Sequence, residues 1–149
     1  MIFSFGGYKI DVDVAATRAF YQSEYARTLG QSCGCDICKN YDDAILKAGE
    51  KVLSFLKELG IDPQKPGEVF GLDVDGKPEK NGTYFYGGWY HLVGTLLEDK
   101  SEGICYDPDP DFDFSLWVTD DPMKMGFIKE GFPEPILEFS IITHLPWLL

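Results

Sequence analysis

The chain has 149 residues, a length that suits one domain with a core large enough to fold without disulfide bonds. It carries 25 acidic and 13 basic residues, and the formal net charge of −12 argues against binding to nucleic acid or to an anionic membrane surface. No targeting segment is recognised, and the apolar runs are too short to span a bilayer. We therefore expect a cytoplasmic protein whose cysteines are reduced thiols or metal ligands.

The first part of the chain predicts a strand and then a helix. Residues 8–12 alternate between apolar and charged side chains, as in a strand with one face in water. Asp13 is a suitable N-cap for a helix over about residues 14–29, and Gly30 is a suitable residue to end it.

A second, longer helix has the clearest pattern in the sequence. Apolar residues recur at helical spacing from Ile37 to Leu59, with charged residues mostly on the opposite side. Asp36 is the predicted N-cap, and Gly60 is the predicted residue after the C-cap. The apolar stripe is long enough to cover several strands of a sheet.

The second half of the chain predicts strands. Residues 69–74 precede the turn dipeptide Asp75-Gly76, and residues 83–98 are rich in aromatic and branched side chains. Gly87-Gly88 favours a bulge, which predicts two strands or one sharply bent strand in that segment. Alternation predicts two further strands, over residues 112–118 and 137–145.

Helices followed by strands predict an α+β fold. We expect a single domain over residues 1–149, with two N-terminal helices packed on a mostly antiparallel sheet of about five strands. The second, long helix should lie across one face of that sheet.

Three of the four cysteines stand at the predicted start of the long helix. Cys33, Cys35 and Cys38 form a Cys-x-Cys-x-x-Cys segment, in which Gly34 lets the backbone turn two thiols toward one point. The unpaired amides and the positive dipole end of a helix start lower thiol pKa values and so favour the thiolates that zinc, or a nucleophile, requires. The alternatives are ordinary buried thiols and a redox pair of Cys35 and Cys38.

A tetrahedral zinc site needs a fourth ligand from elsewhere in the chain. Cys105 is the first candidate, and the two histidines, His91 and His144, are the alternatives. A protein ligand in that position implies a closed structural site, whereas a water implies a catalytic one, and we expect the structural case.

The cysteine segment also carries a resemblance. Residues 17–21, Thr-Arg-Ala-Phe-Tyr, together with residues 33–41 and the later Gly-Trp-Tyr-His at residues 88–91, resemble a group of short bacterial proteins with no assigned activity. The resemblance implies a bacterial cytosolic protein and implies no catalytic residue.

An acidic segment is a second candidate site. Carboxylates alternate with other residues through Asp107, Asp109, Asp111 and Asp113, which suggests either a solvated edge or a docking surface for a basic protein partner. A calcium loop that began at Asp107 would lack the glycine required at its sixth position.

An aromatic segment is the third candidate. Tyr84, Tyr86 and Tyr90 should share one face of their strand, and Trp89 and His91 should lie on the other. The segment predicts either a buried central strand or the wall of a ligand pocket with His91 as its polar member.

Three function classes follow from these features. We favour a non-enzymatic binding or interaction protein with an acidic partner surface, since no complete catalytic motif is present. The alternatives are a protein with a structural zinc site and a small-molecule enzyme or binder with an aromatic pocket near His91. An exposed strand edge would also favour a homodimer.

Overall fold

The computed structural model describes residues 1–73 and 75–149 and has an α+β fold with a mostly antiparallel sheet. Within the described residues, the sheet has six strands: β1 (Ile2–Phe5), β2 (Tyr8–Val12), β3 (Glu68–Gly71), β4 (Thr83–Asp99), β5 (Phe114–Thr119) and β6 (Ile136–Pro146). The helices found there are α1 (Val14–Tyr21), α2 (Leu29–Ser32), α3 (Asp36–Ala44), a 3-10 helix (Ile45–Lys47) and α4 (Glu50–Glu58). None of them has the length and apolar character that crossing a membrane requires.

Strand β4 organises the sheet. The strand order is β1-β2-β4-β6-β5, and β3 pairs with the first half of β4 on the side away from β6. The last strand, β6, is therefore interior, whereas β5 is an edge strand. The outer side of β5 makes one isolated bridge, between Leu116 and Tyr106. The homodimer stays a prediction, for which β5 is the available edge.

The aromatic segment forms one continuous strand, so the bulge predicted at its paired glycines, and with it the two-strand alternative, is wrong. The register between β4 and β6 runs without interruption through Gly87 and Gly88. The glycines instead let β3 approach closely, because a Cβ at Gly87 would lie 2.7 Å from the ring of Phe70. The register irregularity of the sheet lies in β2, between Lys9 and Ile10.

The helices begin and end differently from the sequence prediction. Asp13 caps α1 as predicted, accepting from the amide of Ala16 at 2.9 Å. The helix then ends at Tyr21, well before residue 29, because the amide and hydroxyl of Ser23 both donate to the carbonyl of Phe20. The predicted strand over residues 69–74 is found in part as β3, which ends at Gly71, and Val74 lies outside the described residues.

The predicted long helix is broken into α3, the 3-10 helix and α4. Ala48 and Gly49 are extended there, with ψ values of 157° and 143°. The loop before β5 crosses at this point: a Cβ at Gly49 would overlap the carboxylate of Asp109 and lie 3.0 Å from Phe112. The break therefore has a tertiary cause. Gly60 follows α4 with φ of +89°, as predicted for its C′ position.

The helices cover the face of β4 that carries its tyrosines. Tyr84, Tyr86 and Tyr90 are each 0% exposed. Tyr90 donates its hydroxyl hydrogen to the carbonyl of Pro63 at 2.6 Å. Because a hydroxyl has only one hydrogen, Tyr41 is the donor in the bond between the Tyr41 and Tyr90 hydroxyls, which is also 2.6 Å long. These rings fill the core, and they do not form the wall of an open pocket.

Candidate metal centre

The cysteine segment forms the corner between α2 and α3. Cys33 is the C-cap of α2, and Cys35, where the sequence predicted Asp36, is the N-cap of α3. Gly34 between them has φ of +74°, a left-handed conformation that costs glycine little and most other residues more. This single residue reverses the chain and places Cys33 beside the first turn of α3, which contains Cys38.

The three sulfur atoms converge. The Sγ atoms of Cys33, Cys35 and Cys38 all lie within 4.8 Å of one another. With Zn–S bonds of about 2.3 Å, two sulfurs on a tetrahedral zinc are roughly 3.8 Å apart, so a small adjustment of side chains is enough. All three are free thiols; Cys33 and Cys35 are exposed and Cys38 is buried.

The thiols differ in acidity. Burial opposes ionisation of Cys35, but hydrogen bonds to its sulfur outweigh burial and lower its pKa. Among these hydrogen bonds, the largest contribution comes from the amide of Cys38, whose nitrogen lies 3.5 Å from the sulfur. Burial, followed by hydrogen bonds to Cys35 and Cys33, raises the pKa of Cys38. Cys35 therefore ionises more readily than Cys38, which suits both a metal ligand and a nucleophile.

Helix α3 is fixed to the sheet just beneath the cysteines. The hydroxyl of Tyr86 donates to the carbonyl of Ile37 at 2.8 Å. The buried amide of Asn40 donates to the Tyr86 hydroxyl at 3.0 Å and to the carbonyl of Pro146 at 3.1 Å, and it accepts from the amide of Leu148 at 2.7 Å. The first turn of α3 is therefore held in place by the sheet rather than by the corner alone.

Two buried polar atoms have no partner in the part of the chain that the structure describes. The Tyr84 hydroxyl and Oδ2 of Asp73 have no hydrogen-bond partner among the residues that the structure describes. Burial, followed by the charges of Asp73, Asp75 and Cys35, raises the pKa of Tyr84. Negative charge from the cysteine corner and from the loop after β3 therefore acts on one buried hydroxyl.

Among the described residues, none of the fourth ligands predicted from the sequence has its donor atom in the converging group. The sulfur of Cys105, which precedes the bridge at Tyr106, is not in the group of converging atoms. His91 is 3% exposed, and its Nε2 lies 3.0 Å from Oε1 of Glu138. This arrangement gives the Cys105 and His91 predictions no support.

The buried pair of His91 and Glu138 organises a loop. Glu138 accepts from the amide of Gly126 at 2.7 Å and from the hydroxyl of Ser140 at 3.2 Å. Because Ser140 contacts the carboxylate and not the imidazole, the three side chains do not form a serine nucleophile with its base. Trp89, a neighbour on the same face of β4, donates to the carbonyl of Phe127 at 3.1 Å. These groups hold the loop before β6.

The acidic segment is largely occupied by contacts within the chain. Asp107 accepts from the hydroxyl of Ser115, and the buried Asp109 accepts from the amide of Asp111. Asp113 contacts the ring of His144. Three of the four carboxylates named in the sequence therefore bind groups of this chain.

His144 predicts a pH-dependent stability. Burial lowers its pKa, but hydrogen bonds to Asp113 and Glu79 outweigh burial and raise the pKa above 6.5. Because the folded-state pKa is the higher one, the stabilisation is complete below the unfolded pKa and is lost as the pH rises through the folded pKa. We expect the stability difference between wild type and His144→Asn, from urea unfolding, to be larger at about pH 6 than at about pH 9.

Glu79→Gln provides the control for that measurement, since it keeps the ring stacked on Phe85, with centroids 4.2 Å apart, and removes one charge. The pH dependence should then become weaker. An equal stability difference at both pH values would contradict the assignment.

Comparison with protein-family models, with curated proteins and with solved structures found no match for this chain. Among the described residues, Cys33, Cys35 and Cys38 are the group of metal-ligating side chains whose donor atoms converge. Sequence reasoning found these three, but it placed Tyr84 in an aromatic wall and gave Asp73 no role.

Proposed function

We propose that the protein binds one zinc ion through Cys33, Cys35 and Cys38, and that the ion has a structural role at the corner between α2 and α3. The convergence of the three sulfurs within 4.8 Å carries the proposal. Thiolates are the ligands that zinc prefers at structural sites, and the N-cap position of Cys35 favours its ionised form.

The exposure of the site supports metal binding over ordinary buried thiols. Two of the three cysteines are exposed, although free cysteine is one of the residue types most often buried. A single disulfide would use two of the sulfurs and leave the third beside it, whereas a metal ion uses all three. The ion would have a structural role because it would tie α2 to α3. Helix α2 has four residues and is too short to be stable alone.

Metal analysis of the protein, purified without a metal-chelating tag, tests this proposal. We expect about one zinc per chain, and zinc added to the metal-free protein at 100 times its Kd should stabilise the fold by about 2.7 kcal/mol. Cys35→Ser and Cys38→Ser should each abolish this stabilisation. Cys105→Ser is the matched control and should leave it unchanged. A wild-type protein that binds no zinc in a chelator competition would refute the proposal.

Thiol–disulfide exchange is a second candidate, favoured by the arrangement of Cys35 and Cys38. Cys35 is exposed at the N-cap, and the buried Cys38 lies one turn further on. A Cys35 thiolate would attack a substrate disulfide and release one thiolate; Cys38 would then attack the Cys35 sulfur, closing an intramolecular disulfide and releasing the second. Cys38→Ser would trap the mixed disulfide, whereas a purely metal-binding protein would form none.

A basic protein partner, the function favoured by charge alone, is supported less strongly by the contacts. Asp107, Asp109 and Asp113 are each engaged by the chain itself. The net charge of −12 remains the argument for such a partner.

A further inference from the structure

We propose that Asp73 supplies the fourth ligand of the cysteine site and that the hydroxyl of Tyr84 orients it. This inference rests on the proposed zinc site and specifies its coordination as three sulfurs and one carboxylate oxygen. It starts from two buried polar atoms that the fold leaves without partners.

A chain of contacts links the Tyr84 hydroxyl to the cysteine corner on one side and to the end of β3 on the other. Tyr86 donates to the carbonyl of Ile37, within the first turn of α3, and the ring of Tyr84 packs on that of Tyr86 with centroids 4.8 Å apart. The Tyr84 hydroxyl also contacts Gly71, at the end of β3, so closely that a Cβ there would overlap it. Asp73 follows two residues later, and both its charge and that of Cys35 act on the hydroxyl.

Burial makes these atoms unlike ordinary surface groups. Tyr84 is 0% exposed, and its hydroxyl has no partner among the described residues, nor has Oδ2 of Asp73. A buried polar atom without a partner is costly, and a buried carboxylate oxygen more so. A cation bound by the neighbouring cysteines would give that oxygen its partner, and the hydroxyl could donate to the bound carboxylate.

The chemistry of the donor set is consistent with zinc. Three thiolates and one carboxylate give a four-coordinate site of the kind zinc accepts, whereas Cu(I) prefers sulfur ligands alone. The Asp73 oxygen is not within the 4.8 Å group, so ligation requires Asp73 to move toward the sulfurs. The carboxylate would then close the site against water.

Zinc competition with a coloured chelator tests the role of Asp73. Asp73→Asn should weaken zinc binding by about 100-fold or more, since even loss of a group that only orients a ligand costs about 10- to 100-fold. Asp75→Asn removes an equal charge two residues away at an exposed position, and it should change zinc binding little. Neither substitution should change Cu(I) affinity, because copper would use the sulfurs alone.

Tyr84→Phe gives an independent readout. In the metal-free protein it removes a buried hydroxyl without a partner, so the urea midpoint should be unchanged or higher. Its zinc affinity should nevertheless fall by about 10-fold.

The outcomes separate this inference from the zinc site itself. Wild-type zinc binding with no loss in Asp73→Asn, or with equal small losses in Asp73→Asn and Asp75→Asn, would overturn the ligand role and leave the three-cysteine site intact. A wild-type protein without zinc affinity would overturn both proposals.

Discussion

Replacing Glu138 with alanine should lower the free energy of unfolding by about 3 kcal/mol or more, since each partner left unpaired away from water costs about 1–3 kcal/mol. Glu138 is 2% exposed and accepts from three groups: the ring of His91, the amide of Gly126 and the hydroxyl of Ser140. Its loss leaves the buried ring of His91, and the half-buried Gly126 amide and Ser140 hydroxyl, without their acceptor. The measurement is urea unfolding followed by tryptophan fluorescence.

A double-mutant cycle separates the pair from the general loss of packing. His91→Ala, Glu138→Ala and the double variant should be strongly non-additive, because the second substitution removes a group that the first has already left without its partner. Glu138→Gln keeps the size of the side chain and one acceptor oxygen, and it should cost less than Glu138→Ala. Additive losses would show that the two side chains are not coupled.

Replacing Asn40 with alanine should destabilise the protein by about 3 kcal/mol, since it removes three hydrogen bonds of a fully buried side chain and each is worth about 1 kcal/mol. Asn40 is 0% exposed and joins α3 to the end of β6 and to the residues after it, through Pro146 and Leu148. The same substitution removes a donor to the hydroxyl of Tyr86. Urea unfolding of the metal-free protein measures the effect without any contribution from a bound ion.

Lys39→Ala is the control for Asn40, because it lies next to it on the exposed side of α3 and should change stability by no more than about 0.5 kcal/mol. Similar losses in both variants would indicate a general effect on helix α3 and would contradict a role for the hydrogen bonds of Asn40.

Local signals in the sequence predicted local structure correctly. The Asp13 cap, the left-handed Gly60 and the alternation in β2 each depend on neighbours within a few residues. The convergence of the cysteines belongs to the same class, because Cys33 and Cys38 are five positions apart and one glycine makes the turn.

The remaining features depend on distant contacts that spacing does not encode. The long helix is broken where the loop containing Asp109 crosses Gly49, sixty positions earlier in the sequence. The paired glycines of β4 do not form a bulge; because they lack side chains, they let β3 pack closely against β4. Tyr84 contacts Gly71 and Tyr86 only once β3, β4 and α3 have packed together, so no motif could have linked it to the cysteines.

The order of the strands has a consequence for synthesis on the ribosome. Strand β6 is the last of the six described strands to be made, yet it lies between β4 and β5. Until β6 emerges, β4 and β5 have no strand between them to pair with. Asn40 likewise lacks two of its hydrogen-bond partners, which lie 106 and 108 positions later in the sequence. A nascent chain at that stage exposes unpaired strand edges, which makes it prone to aggregation and a substrate for chaperones.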